Sequence, residues 1–224
     1  MNEKLTIAKL KVEAKVFCIA ESKINNKDLF GVTDGKAVGT HIEHKFQEHL
    51  NSKYKTTIGS SANGIDLPSD DIQTDIKVTS IKQPQSSCPF KNAKQKIYGL
   101  GYNLLVFVYN KVDNPTTKTA KLNFVSCSFI SKERTADYTT TYRLREMVKD
   151  KANAEDIVAY LNDKNIPADG ITLSRLAKQI LKTPPLQGYL TISNALQWRL
   201  QYQRIVTLTG KIQGISKIVD KITK

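Results

Sequence analysis

Apolar residues fall at helical spacing in the first stretch of the chain. Leu5, Ala8, Val12 and Val16 predict a helix over residues 4–21. A loop of Asn, Asp and Gly between Asn25 and Gly35 breaks the pattern. It resumes with Val38, Ile42, Phe46 and Leu50, predicting a second helix over 36–50. After Tyr54 the period shortens to two. Gly64–Leu67 and Ile72–Ile81 read as two short strands, with turn chemistry between them in Pro68-Ser69-Asp70-Asp71. Residues 91–99 suit a helix. The unbroken apolar run Leu104–Tyr109 predicts a strand buried on both faces. Residues 121–130 alternate as a further strand, and a helix follows near 140–150. Beyond 153 the pattern is helical again, at 153–163, 172–182 and 191–205, and the middle helix has a clean stripe of Leu173, Leu176, Ala177, Ile180 and Leu181. Residues 206–224 fit either a basic helix or a short hairpin around Gly210. No internal repeat is present. The expected architecture is α/β, with a central mixed β-sheet flanked by helices over residues 1–150 and a basic helical region over 151–224.

Composition narrows the function. The 224 residues are 40% hydrophobic and 25% charged, enough for a sizeable core. No apolar run approaches the ~20 residues that cross a bilayer. The charged N-terminus is unlike a secretory signal, so no membrane association and a cytoplasmic location are expected. Three widely spaced cysteines, Cys18, Cys88 and Cys127, do not make a disulfide framework or a CxxC-type zinc site. The net charge of +13 favours nucleic acid or another anionic partner. There is no GxxxxGK[ST] loop and no GxGxxG after a strand, so no nucleotide cofactor is expected.

The chemistry concentrates in Asn63-Gly64-Ile65-Asp66-Leu67-Pro68 and Thr74-Asp75-Ile76-Lys77-Val78. Acid-x-Lys triplets also occur at Glu13, Glu21, Asp34 and Glu43, but only Asp75-Ile76-Lys77 lies in a predicted strand. Alternation puts Ile72, Thr74, Ile76 and Val78 on one face and Asp75, Lys77 and Thr79 on the other. If the Pro68–Asp71 turn closes symmetrically, Leu67 opposes Ile72, Asp66 opposes Gln73, and Asp66 lies diagonal to Asp75 on its face. Two carboxylates beside a lysine suit a hard cation such as Mg²⁺, with the lysine orienting an attacking water. The same spacing describes a solvated ion pair on a surface hairpin.

Asp66 followed by Asp75-Ile76-Lys77 resembles the split acid … acid-x-Lys signature of the PD-(D/E)xK nucleases. The stretch Gly35–Phe46 is similar to the helix before their core strands, which often lends a Glu to the site, here Glu43. The order helix, hairpin strands, helix, strand over residues 36–130 resembles type II restriction endonucleases. Ile65, where the motif name has Pro, is the one departure. The resemblance implies Mg²⁺-dependent cleavage of double-stranded DNA to 5′-phosphate and 3′-hydroxyl ends, with Mn²⁺ able to substitute. It assigns Asp66 and Asp75 as metal ligands, Lys77 as the residue that positions water, and Glu43 as an auxiliary acid. A solvated helix position is the competing reading of Glu43.

His41, His44 and His49 share one helix with Glu43, but His41 and His44 are three apart where the metalloprotease helix needs four. From Ile171 onward nine basic residues face one acid, Asp220. Asn194, Gln197, Arg199, Gln201 and Arg204 therefore read as base and phosphate contacts on a recognition helix at 191–205, with Lys211 and Lys217 on phosphates. A basic helical cap is the alternative. Gln83, Gln85, Ser86 and Ser87, downstream of the acid-x-Lys strand, are the second candidate readers. Cutting both strands of a palindrome predicts a homodimer. The rival functions are a junction-resolving, repair or transposition nuclease of the same core, and a winged-helix DNA-binding protein without activity.

Overall fold

The computed structural model describes residues 3–57, 59, 64–89, 91–193 and 198–222. In chain order the elements are β1 (Glu3–Lys4), α1 (Ile7–Glu21), β2 (Asn25–Asn26), α2 (Gly35–Asn51), β3 (Tyr54–Lys55), β4 (Thr74–Ser80), β5 (Gln85–Cys88), α3 (Lys94–Tyr98), β6 (Asn103–Asn114) and β7 (Thr119–Ile130). They continue with α4 (Tyr138–Lys149), α5 (Ala154–Asp163), α6 (Gly170–Lys182), β8 (Thr191–Ile192), β9 (Trp198–Gln201), α7 (Gln203–Val206) and β10 (Ile215–Asp220). Two compact units form, each from separated stretches. The first is Met1–Ser86, Tyr102–Ser131 and Ile205–Lys224, and the second is Ser87–Gly101 and Lys132–Arg204.

The first unit is built on a mixed sheet ordered β10-β7-β6-β4, with β2 added to β7. β6 and β7 pair antiparallel, while β4 runs parallel to β6 with Asp75 beside Leu104 and Lys77 beside Val106. As the sequence predicts, Leu104–Tyr109 is buried throughout. Leu105, Phe107, Phe124, Cys127 and Phe129 pack with Ile42, Phe46 and Leu50 of α2 and with Leu10, Ala14 and Phe17 of α1 in one core. The rings of Phe17, Phe46, Phe107 and Phe124 meet at tilted and edge-on angles, as their quadrupoles favour.

On α1 the structure chooses a different face from the one read in the sequence. Val12 and Val16 are 60% and 44% exposed, while Leu10, Ala14, Phe17 and Cys18 are buried. The helix is apolar on both sides, so periodicity could not rank them. Residues 206–224 supply β10, antiparallel to β7. Lys217, expected on phosphate, turns inward and donates to the carbonyls of Ile205 and Val206 at 3.2 and 2.7 Å.

In the second unit the stripe of α6 packs on Ile157 and Leu161 of α5, Leu144 of α4 and Ile97 of α3. α5 begins with a capping box: Asn153 accepts from the Asp156 N–H, and Asp156 accepts from the Asn153 N–H. Asn153→Ala should cost about 1 kcal/mol, or roughly 2–4 °C in the melting temperature of a chain this size. A thermal melt followed by circular dichroism checks this.

Among the described residues of 191–205 the expected helix gives way to two strands and the short α7. Thr191–Ile192 and Trp198–Gln201 pair antiparallel, with Ile192 opposite Leu200, and Ser193 and Arg199 close the ends through backbone and hydroxyl hydrogen bonds. Burial alternates, with Trp198 and Leu200 inside and Arg199 and Gln201 outside. The period of two prevails because each strand has one apolar face to bury.

Candidate active site

β4 is the edge strand of the sheet, so the N–H groups of Thr74 and Ile76 point away from β6 and need partners. The chain ahead of β4 supplies them. Thr74 and Leu67 exchange two backbone hydrogen bonds of 3.0 Å, and the Asp66 carboxylate accepts from the Ile76 N–H at 2.7 Å. The expected strand at 64–67 is thus a single bridge at Leu67, and its partner is Thr74 instead of Ile72. The connecting loop is six residues long, two more than a symmetric closure on Pro68–Asp71. A shift of two preserves side-chain parity. Extending the observed register by one residue sets Asp66 directly opposite Asp75, a position without mutual backbone bonds where side chains lie closest.

Asp75 is 4% exposed, and the Lys77 ammonium lies 2.8 Å from its Oδ2. Glu43, from the middle of α2, is partly buried. The Asp66 carboxyl is within hydrogen-bonding reach of both Asp75 and Glu43. This crowding has an electrostatic signature. Burial, then repulsion from Asp66, pushes the Glu43 carboxyl up to about 8, against the pull of Lys77. Burial likewise raises Asp75 to about 7, with Lys77 opposing and Asp66 adding to the rise. Burial and mutual repulsion thus hold both carboxyls well above the ordinary carboxylate range.

The four residues singled out from the sequence, Glu43, Asp66, Asp75 and Lys77, are brought together. The three carboxylates among them offer oxygen donors only, as hard cations require. Among the described residues, no three His, Cys, Asp or Glu side chains surround one metal position. The protein's offer is therefore a carboxylate pair, which suits an ion that keeps water and takes phosphate oxygens. The histidines do not join it. His49 instead meets the buried Glu13 at 2.7 Å.

The Thr79 hydroxyl accepts from the Gln85 N–H at 3.1 Å and lies 3.0 and 3.2 Å from the Gln85 and Gln83 carbonyls, tying that segment to β4. Gln83 is exposed, and Gln85, Ser86 and Ser87 are partly buried. Arg199 and Gln201 project from β9, and the Arg204 guanidinium stacks 3.7 Å from the Tyr138 ring centroid. Asn194 and Gln197 lie outside the described residues.

Sequence reasoning missed the residues that hold the Asp66 segment. The Gly59 N–H donates to the Asp66 carbonyl at 2.9 Å, and a Cβ there would come within 2.0 Å of the Ile65 carbonyl oxygen. Gly59→Ala should therefore displace Asp66 and lower the cleavage rate about 10²-fold, in line with an ångström-scale misplacement. Single-turnover rates of both proteins check it. No local signal marks Gly59, because its partner is seven residues away across a loop.

Comparison with known proteins adds a family. Residues 4–217 match the family model described as type II restriction enzyme NspV. The chain is 52% identical over 211 residues to a curated relative from Nostoc sp. named "Type II restriction enzyme NspV", covering 94% of this chain and 95% of the relative. No solved structure matches it.

Proposed function

This chain belongs to the NspV family of type II restriction enzymes, and from that premise we propose how it cuts. It hydrolyses both strands of double-stranded DNA at a specific sequence, with Mg²⁺ at the Asp66–Asp75 pair (Mn²⁺ substituting), and leaves 5′-phosphate and 3′-hydroxyl ends. The observation that carries this reading is the meeting of the Asp66 and Asp75 carboxylates beside Lys77 at the sheet edge. A divalent cation bound there would supply Lewis-acid polarisation of the scissile phosphate. Asp66 and Asp75 hold it, and the Ile76 N–H fixes the Asp66 carboxylate. Lys77 orients the attacking water and offsets the charge that develops on phosphate. Glu43, protonated at neutral pH, is placed to pass a proton to or from Asp66. Family membership sets aside the inactive winged-helix reading, and the strands Thr191–Ile192 and Trp198–Gln201 stand where its recognition helix was expected.

In this reading residues 1–150 carry the cutting chemistry and residues 151–224 contribute base contacts. Arg199 and Gln201 on the exposed face of β9 replace the expected helix as readers, with Arg204 on phosphate and Gln83, Gln85, Ser86 and Ser87 as the second set. Each bidentate base contact is worth ~1–3 kcal/mol of discrimination. Arg199→Ala and Gln201→Ala should each lower cognate binding at least fivefold relative to scrambled duplex, with Arg204→Ala weakening both alike. Competition binding at two salt concentrations reads this out. Unchanged discrimination in both variants would move base reading to the Gln83–Ser87 segment.

The whole reading is tested by digesting a plasmid of known sequence with Mg²⁺ and mapping the ends. Discrete fragments with 5′-phosphates support it, and a smear or intact plasmid overturns it. The proposed homodimer is tested by sedimentation of the protein with a palindromic duplex.

A further inference from the structure

The loop that brings Asp66 to Asp75 makes its last turn at a strained residue. Gln73 has φ +35°, a conformation that side chains other than Gly seldom adopt. Such a residue persists only where its surroundings over-determine it. Here the surroundings are specific. Asn103, buried at the head of β6, donates through Nδ2 to the Ile72 carbonyl at 2.8 Å and through its backbone N–H to the Gln73 carbonyl at 2.7 Å. The fully buried Thr74 hydroxyl also donates to the Ile72 carbonyl, at 2.7 Å. The N–H groups of Ile72 and Gln73 both reach the Ser69 carbonyl at 2.8 Å. The next residue, Thr74, makes the bridge to Leu67 that sets the Asp66 register. The peptide carbonyls on either side of the strained residue thus each accept from Asn103 of β6, the neighbouring strand.

We propose that Asn103 is a positioning residue for the metal site: by clamping the Ile72–Gln73 turn it fixes the Leu67–Thr74 register and so holds the Asp66 carboxylate against Asp75. The Nδ2 and backbone N–H bonds of Asn103 go to the carbonyls of the turn, so its effect runs through the backbone of the turn. The inference rests on the reading of Asp66 as a metal ligand. A polar side chain one position before an apolar strand run is otherwise costly to bury. At this position its amide donates to the Ile72 carbonyl, which also accepts from the Thr74 hydroxyl.

The test measures Mn²⁺ binding to the full-length protein by electron paramagnetic resonance, without DNA, alongside melting temperature and steady-state kinetics. Asn103→Ala should weaken Mn²⁺ binding at least about tenfold, within the range typical of outer-shell partners. It should lower kcat at limiting Mn²⁺, recover at saturating Mn²⁺, and leave KM for DNA within twofold. Thr74→Val, which removes the second donor to the Ile72 carbonyl, should do the same to a smaller degree and stands in if Asn103→Ala does not fold. Gln73→Gly accepts the positive φ without strain, so in the Asn103→Ala background it should restore part of the lost Mn²⁺ affinity. Asp66→Asn is the reference. If it binds Mn²⁺ as the wild type does, the metal-site reading itself fails. If Asp66→Asn loses binding while Asn103→Ala (or Thr74→Val in its place) keeps it, the positioning role is overturned.

Discussion

Asp75→Asn and Lys77→Ala should each reduce cleavage by 10³-fold or more while leaving specific DNA binding within about threefold. Loss of a group that stabilises charge or moves a proton in the transition state typically costs 10²–10⁴, and here the two side chains are also each other's ion-pair partners at 2.8 Å. Removing Lys77 leaves Asp75 buried among acids. Removing the Asp75 charge takes one of two carboxylates from the proposed cation. Stability should move the other way for Asp75→Asn. The folded protein raises the Asp75 carboxyl well above its usual range, so ionising it opposes folding above neutral pH. The variant should therefore melt ~2–4 °C higher than the wild type at pH 8.5, the shift that about 1 kcal/mol produces in a chain of this length, and should lose that advantage near pH 5. Single-turnover cleavage, filter binding and melts at the two pH values check the three parts. Retained cleavage by either variant would remove both residues from the mechanism.

The affinity for Mn²⁺ should rise about tenfold between pH 6 and pH 8. A cation needs both carboxylates ionised, and each pH unit below a raised carboxyl value costs close to a factor of ten in the ionised fraction. Asp75 at about 7 places this dependence in the neutral range instead of near pH 4, while Glu43, raised to about 8, stays outside the ligand pair. The linked effect on folding has a definite sign. Both carboxyls have folded-state values above their ordinary ones, so the stability they contribute is full below about pH 4 and lost as pH rises through 7 to 8. Without metal the protein should be less stable at pH 8.5 than at pH 6 on this account, and saturating Mn²⁺ should cancel the difference. Melts with and without Mn²⁺ at both pH values, paired with calorimetric titration of the metal, decide it. A flat pH dependence of Mn²⁺ affinity would mean that the crowded carboxylates are not the ligands.

The parts of this protein legible in the sequence are those in which local pattern and tertiary demand agree. Leu104–Tyr109 is apolar at every position because β6 is covered on both faces. The stripes of α2 and α6 each have one face to bury, and the structure buries that face. Asp75 and Lys77 share a strand face by the period of two alone. The parity of Asp66 also survived, because the loop differed from the expected length by an even number of residues. Elsewhere the local pattern was ambiguous, and only long-range packing resolved it. On α1 both faces are apolar, and the sheet selected Leu10, Ala14 and Phe17 over Val12 and Val16. At Thr191–Ile192 and Trp198–Gln201 the residues fit both a helical stripe and a strand alternation, and pairing of Ile192 with Leu200 chose the strand. The register of Asp66, the inward turn of Lys217, and the grip of Gly59 and Asn103 on the Asp66 loop depend on partners up to 31 residues away. The sequence by itself determined which residues are candidates for the chemistry, because side-chain type and strand period are local properties. Only the tertiary structure decided how closely the carboxylates meet and how strongly they resist ionisation, because hydrogen-bond register and burial are set by strands that the chain brings together from a distance.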